Sequence, residues 1–314
     1  MREEWTADIK ARAAAHWTPK ERASLLGKKQ PILDPVEAAP LLRVLGLLKR
    51  DASMPPNRVR KYMQINHMVA LLEPVLLDLI KTNELVRLLD VGCGSSYLTL
   101  LLAWCFAHRW KHPAQILGVD WTEHVIRNSR ENAEVAGLDS LLRFETADLS
   151  DRTVPALWRQ AFDEESDEPP RVNAVFALHA CNTATDEALA LGLALKADFI
   201  AAAPCCQAEL AARWAALAES DVTGAFAPIW RSPHLRRETA ATVTDTLRTL
   251  LLRASGYRVT AMEFVPSEHT PKNTLLRAVR DEGEDPQRAI EEYRALRDST
   301  GGATIRLGEI LQVD

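Results

Sequence analysis

The chain has 314 residues, 47% hydrophobic and 26% charged, the make-up of a globular protein long enough to bury a full core. No unbroken apolar run reaches the roughly 18 residues that span a bilayer, and Met1-Arg2-Glu3-Glu4-Trp5 lacks the apolar stretch of a signal peptide. Five cysteines, an odd number with two adjacent, do not form an obvious disulfide framework, so a reducing cytoplasm is the expected compartment. The net charge of −5 conceals an asymmetry: residues 1–61 hold 13 Lys or Arg against 7 Asp or Glu, a surplus of six, which leaves −11 on the remainder. A basic segment on an acidic body suits a polyanionic partner; a solvated helical surface is the plainer reading.

Residues 1–50 read as helices broken at Pro19, Pro31, Pro35 and Pro40. Pro55-Pro56 marks a turn or linker, so residues 1–60 are expected to form a helical, basic appendage. Apolar positions at helical spacing then fill residues 61–82, with a kink or restart at Pro74. Residues 86–91 are short, mostly apolar and closed by turn residues, which favours a strand. It runs into Asp90-Val91-Gly92-Cys93-Gly94-Ser95-Ser96-Tyr97. Gly92 and Gly94 permit a sharp turn and the close approach of a ligand. A helix start behind the turn favours an anionic group.

Such a turn serves a dinucleotide or a sulfonium nucleoside. A dinucleotide turn needs a third glycine three residues on, where this chain has Tyr97. Asp90 is placed to hold an ammonium, which S-adenosylmethionine has and NAD lacks. The run from Asp90 to Thr99 resembles the first motif of class I S-adenosylmethionine-dependent methyltransferases. The resemblance implies a Rossmann-like α/β sheet of seven strands, order 3-2-1-4-5-7-6 with the last antiparallel, over residues 61–280. It also implies S-adenosyl-L-methionine as cofactor, Gln64 and Lys61 at the pocket rim, and Tyr97 beside the glycines.

Residues 98–108 make the first crossover helix and 114–119 the second strand. That strand ends at Asp120, suited to ribose hydroxyls, and Trp121 is either an adenine platform or a core tryptophan. Thr122 caps a helix closed by Gly137. Residues 141–146 form the third strand; Asp148 follows as a candidate for the adenine amino group, and Leu149 for the ring nitrogen through its backbone. Residues 172–178 form the fourth strand, ending at Leu178 and delivering His179-Ala180-Cys181-Asn182. Residues 197–203 form the fifth, delivering Pro204-Cys205-Cys206-Gln207. Residues 257–265 and 273–279 alternate as a closing hairpin, and residues 281–314 read as a peripheral helical tail.

The segment Leu178-His179-Ala180-Cys181-Asn182, with Thr185-Asp186 and the later Pro204-Cys205-Cys206, is similar to the methyltransferase domain of glutathione S-transferase C-terminal domain-containing proteins and their bacterial relatives. Asn182 stands where glycine is usual, and Gln207 where a histidine or aromatic often follows. The expected activity is methyl transfer to RNA, tRNA or rRNA; a small-molecule or protein methyltransferase and a non-catalytic RNA scaffold are the alternatives. His179 is the candidate base, with Lys272 and Asn273 reaching the mouth from the hairpin. Cys181, Cys205 and Cys206 have three readings: buried packing against the cofactor, a nucleophile toward a pyrimidine, or zinc ligands with His179. Arg231, Arg236 and Arg237 add positive charge for a nucleic acid.

Overall fold

Seven short strands build one sheet of order β3-β2-β1-β4-β5-β7-β6, the order expected of a Rossmann-like methyltransferase. The computed structural model describes residues 2–26, 31–149, 153–163, 165, 170–178, 180–220, 223–264 and 273–313. The first half holds α1 (Arg2–His16), α2 (Pro19–Leu26), α3 (Ala39–Val44), α4 (Pro56–Thr82), β1 (Val86–Val91), α5 (Tyr97–Trp104), β2 (Ala114–Asp120), α6 (Glu123–Ala136), β3 (Leu142–Thr146) and α7 (Val154–Ala161). The second holds β4 (Ala174–Ala177), α8 (Thr183–Ala194), β5 (Phe199–Ala202), α9 (Ala208–Ala218), α10 (Ala227–Trp230), α11 (Pro233–Ala254), β6 (Tyr257–Glu263), β7 (Thr274–Arg280), α12 (Pro286–Ser299) and α13 (Arg306–Leu311). Two compact units result: Met1–Thr146 with Gln160–Asp163, and Ala147–Arg159 with Glu164–Asp314.

In the first unit β1, β2 and β3 run parallel, with Asp90 opposite Gly118 and Gly118 opposite Phe144. The residues of β1 and β2 are buried almost without a break, the pattern of strands covered on both faces, whereas β3, at the sheet edge, buries only Leu142 and Phe144. The N-terminal helices share this unit. Asn66 of α4 accepts from the Leu33 amide at 2.9 Å and Tyr62 donates to the Leu33 carbonyl at 2.5 Å. Trp17 donates to the Ala52 carbonyl at 2.9 Å.

Three expectations change here. Pro55-Pro56 is no linker: α4 starts at Pro56, where a missing N–H costs nothing. It continues through Pro74 because its face of Tyr62, Ile65, Val69, Leu72, Leu76 and Leu79 is buried on both sides of that residue. The first crossover helix gives way after Trp104 to a π-helical turn, Cys105–Trp110. By length and composition α4 is also long and apolar enough to cross a membrane, with mean hydropathy 1.3 over its best window. Charged residues interrupt the helix, so no unbroken apolar run marks it. Its buried positions recur at three- and four-residue spacing, the amphipathic pattern of a packing helix.

In the second unit β4 and β5 are parallel, β7 is antiparallel to β5, and β6 closes the hairpin. Helix α11 packs against α9, α12 and β6, and α13 against α8. The C-terminal helices are not peripheral: Tyr293 and Leu307 are fully buried, and Arg306 pairs with Glu187 at 2.8 Å.

Gly118 is bare because a Cβ there would lie 2.6 Å from the Phe144 ring and 3.3 Å from the Cys93 sulfur. Gly118→Ala is therefore expected to destabilise the chain by about 1–3 kcal/mol through overpacking. Urea unfolding would register this as a lower midpoint at unchanged slope; an unchanged midpoint would show that Phe144 yields freely.

Candidate functional site

The tip of β1 carries the most constrained group of the first unit. Asp90 is 1% exposed. Its Oδ2 accepts from Thr99 Oγ1 at 2.5 Å, while its Oδ1 is buried and has no hydrogen-bond partner among the described residues. Burial pushes the Asp90 carboxyl up to about 7; the Thr99 hydroxyl works against that rise and the Asp120 charge adds to it. An orphaned buried carboxylate oxygen is costly unless a ligand brings it a donor. The ammonium of an amino acid moiety answers that requirement.

The turn that follows leaves β1 through left-handed residues. Gly92 and Gly94 have φ of 65° and 53°, a region glycine enters without strain. Ser96, at 56°, is held by a 2.6 Å hydrogen bond to Ser129. Asp120, at the tip of β2, fixes this turn: its Oδ2 accepts from the Gly94 amide at 3.0 Å and its Oδ1 from the Thr122 amide at 2.9 Å. Thr122 sits at the N-cap of α6 without a side-chain capping bond, contrary to expectation; Asp120 makes the local bond instead. Each Asp120 oxygen keeps a second lone pair, so two ribose hydroxyls still find acceptors. Trp121 is 79% exposed, which excludes a core role and leaves an open aromatic face.

Tyr97 heads α5. Its hydroxyl donates to the Leu45 carbonyl at 2.9 Å, and the Lys61 ammonium lies 3.6 Å from its ring centroid. Tyr97 thus ties the N-terminal segment to the glycine turn. Gln64 is half-buried on α4.

In the second unit Asp148 is exposed, Leu149 half-buried and Leu178 buried. His179 and Lys272 lie outside the described residues. Asn273 does not project freely from the hairpin: its amide donates to Glu263 Oε1 at 2.6 Å, across the two strands. The loops after β4 and β5 converge as expected, but Cys181, Cys205 and Cys206 are all exposed, so the buried-packing reading fails for them. Cys181 and Cys205 form a disulfide, with Cys206 free, against the expectation of no pairing. Spacing concealed this pair, because the loops that meet are 24 residues apart.

The loops are held by groups that the sequence reading missed. Arg248 of α11 is 1% exposed and binds both oxygens of the fully buried Asp186, Asp245 Oδ1 and the Asn182 carbonyl. Gln207 donates to the Pro204 carbonyl and to Asp245. Arg248 was detectable as a charge on the apolar stripe of a helix, where a buried partner is obligatory. Asn182 has φ 53° and ψ −125°, a backbone suited to glycine. Its Oδ1 accepts from the Ala208 and Glu209 amides at 3.0 and 3.2 Å, capping α9. A glycine there would fit the backbone and lose the cap.

Residues 60–213, just under half of the chain, match the family profile described as a methyltransferase domain. The 23S rRNA (uracil(1939)-C(5))-methyltransferase RlmD of Stenotrophomonas maltophilia is 36% identical over 103 residues, 32% of this chain and 21% of that protein. The RlmD of Shewanella sediminis is 34% identical over 102 residues, 32% of this chain and 20% of that protein. The chain thus spans about a fifth of the length of these curated relatives. Among solved structures, the S-adenosylhomocysteine-bound methyltransferase PaMTH1 of Podospora anserina has a TM-score of 0.43 at 12% identity, covering 83% of this chain and 94% of that one. The O-methyltransferase TomG of Streptomyces achromogenes, in complex with S-adenosylmethionine, has 0.41 at 15% identity, covering 87% and 98%. Residues 60–213 are thus similar to a methyltransferase domain, and the strand order and glycine turn are those expected of the class I S-adenosylmethionine-dependent kind.

Proposed function

We propose that the chain methylates RNA with S-adenosyl-L-methionine as the donor. The observation that carries the cofactor half is the unpartnered Asp90 Oδ1 beside a turn of left-handed glycines. Asp90 holds the ammonium, Asp120 accepts from the ribose hydroxyls, Trp121 offers a face for the purine, and Gln64 stands on α4 of the same unit. Roles for Asp148, the Leu149 backbone and Leu178 rest on the sequence resemblance alone. When bound, the cofactor supplies a methyl group on a positively charged sulfur. The chain contributes alignment and, for an acceptor that must lose a proton, His179 as the base.

RNA is favoured as substrate by the rRNA methyltransferases that resemble part of the chain and by the basic N-terminal segment. In the second unit a cavity of about 430 Å³ is lined by Cys205, Cys206, Arg236 and Arg237, positive charge suited to a phosphate backbone. The narrower likeness to the glutathione S-transferase C-terminal domain-containing proteins is part of this proposal and rests on the Leu178–Asp186 and Pro204–Cys206 segments.

Two measurements test the reading. In the free protein Asp90 is protonated below about pH 7, and it must lose that proton before it pairs with an ammonium. Affinity for S-adenosylhomocysteine is therefore expected to be level above about 7 and to fall up to roughly tenfold per pH unit below it. Asp90→Asn should bind weakly with no such slope. Calorimetry from pH 5.5 to 8 gives the profile, and identical flat profiles for both proteins would remove Asp90 from the site. For the substrate, nucleoside mass spectrometry of RNA from cells with and without the gene should show one methylated nucleoside missing. Unchanged RNA, with methyl incorporation into small molecules or protein, would overturn the RNA assignment.

A further inference from the structure

Three exposed cysteine sulfurs in one place need an account beyond a methyltransferase fold, because exposed thiols are reactive and add no packing. The Sγ atoms of Cys181, Cys205 and Cys206 all lie within 4.8 Å of one another. We propose that, with all three as thiols, they bind one soft divalent metal ion, zinc by its chemistry. Among the described residues these three are the grouped ligands. The inference concerns the second unit alone and does not rest on the methyltransferase reading.

The sulfur pairs not joined in the disulfide agree with the chemistry, and Cys181 and Cys205, bonded to each other here, would separate on reduction. Tetrahedral zinc with bonds of about 2.3 Å places its sulfur ligands about 3.8 Å apart. Cys205 and Cys206 sulfurs stand 3.8 Å apart in the structure. Thiolates are the ligands that select zinc over magnesium or calcium, and a site with three protein ligands ordinarily keeps a fourth position for water or substrate.

The ligands are also held in place before any metal arrives. They come from two loops that follow the paired strands β4 and β5, and Arg248 secures both. It donates to the Asn182 carbonyl, next to Cys181, and binds Asp245, which in turn accepts from Gln207, next to Cys206. Thr185 adds a 2.8 Å bond to the Ala180 carbonyl, on the other side of Cys181. Partners of this kind, behind the ligands, tune metal affinity in known sites. Pro204 stiffens the approach to the cysteine pair.

The Cys181–Cys205 disulfide and the metal-bound form are alternatives, since a bonded sulfur has no thiolate to give. A phosphine reductant breaks the S–S bond, takes up oxygen from water as phosphine oxide and leaves two thiols. Metal binding then displaces a proton from each of the three thiols.

The test uses the full chain, treated with a phosphine and handled without oxygen, then titrated with Zn²⁺ alone and with Co²⁺ alone. One metal per chain is expected, with the intense thiolate-to-cobalt absorption and the visible bands of tetrahedral cobalt. Cys206→Ser, an exposed substitution compatible with the fold, should weaken binding by at least about 100-fold, more than loss of an outer-shell partner costs. Cys205→Ser should act likewise, and Cys105→Ser, buried in the first unit, should change nothing. Absence of the thiolate band, binding well below one equivalent, or full affinity in Cys206→Ser would overturn the proposal. The trio would then be a disulfide beside an unligated thiol.

Discussion

A carboxylate oxygen buried at the end of β1 with nothing to bond is the constraint on which the first unit turns. Leaving it so costs stability in the free chain, a cost that a cationic ligand, as in the function proposed above, would offset on binding. The surrounding bonds serve this point. Thr99 occupies one Asp90 oxygen and leaves the other. Asp120 fastens the glycine turn to the head of α6 through two backbone amides, so the turn is set before a ligand enters. Preorganisation of this kind spares the ordering cost on binding.

The second unit solves a different problem by a buried ion pair. Two loops leave neighbouring strands and carry exposed sulfurs, so neither can be held by its own apolar burial. Arg248, Asp186 and Asp245 supply the hold from beneath. Breaking such a pair on one side strands a buried charge, which is why these three residues act as a set. Asn182 belongs to the same device: it takes a glycine-like backbone and uses its side chain to cap α9.

The sheet and the glycine turn were legible because their signals are local. Short apolar runs marked five strands, three of them with an acidic residue at or just past the tip, and a late alternating pair marked the closing hairpin. What escaped were contacts made at long range. Nothing near Asp90 in the chain announces Thr99 as its partner, and Tyr97 meets Leu45 across 52 residues. The proline pair at 55–56 was misread because the punctuation of a linker is also that of a helix start; only the buried face of α4 decides between them. The C-terminal helices looked peripheral because their surfaces are largely charged, yet Tyr293 at 0% exposure anchors them.

The most direct test of the central claim is a crystal structure of the chain with S-adenosylhomocysteine. The account predicts the ligand's amino group within about 3 Å of Asp90 Oδ1, the distance of a charge-assisted hydrogen bond, with the ribose on Asp120. A ligand seated elsewhere, leaving that oxygen still without a donor, would contradict it.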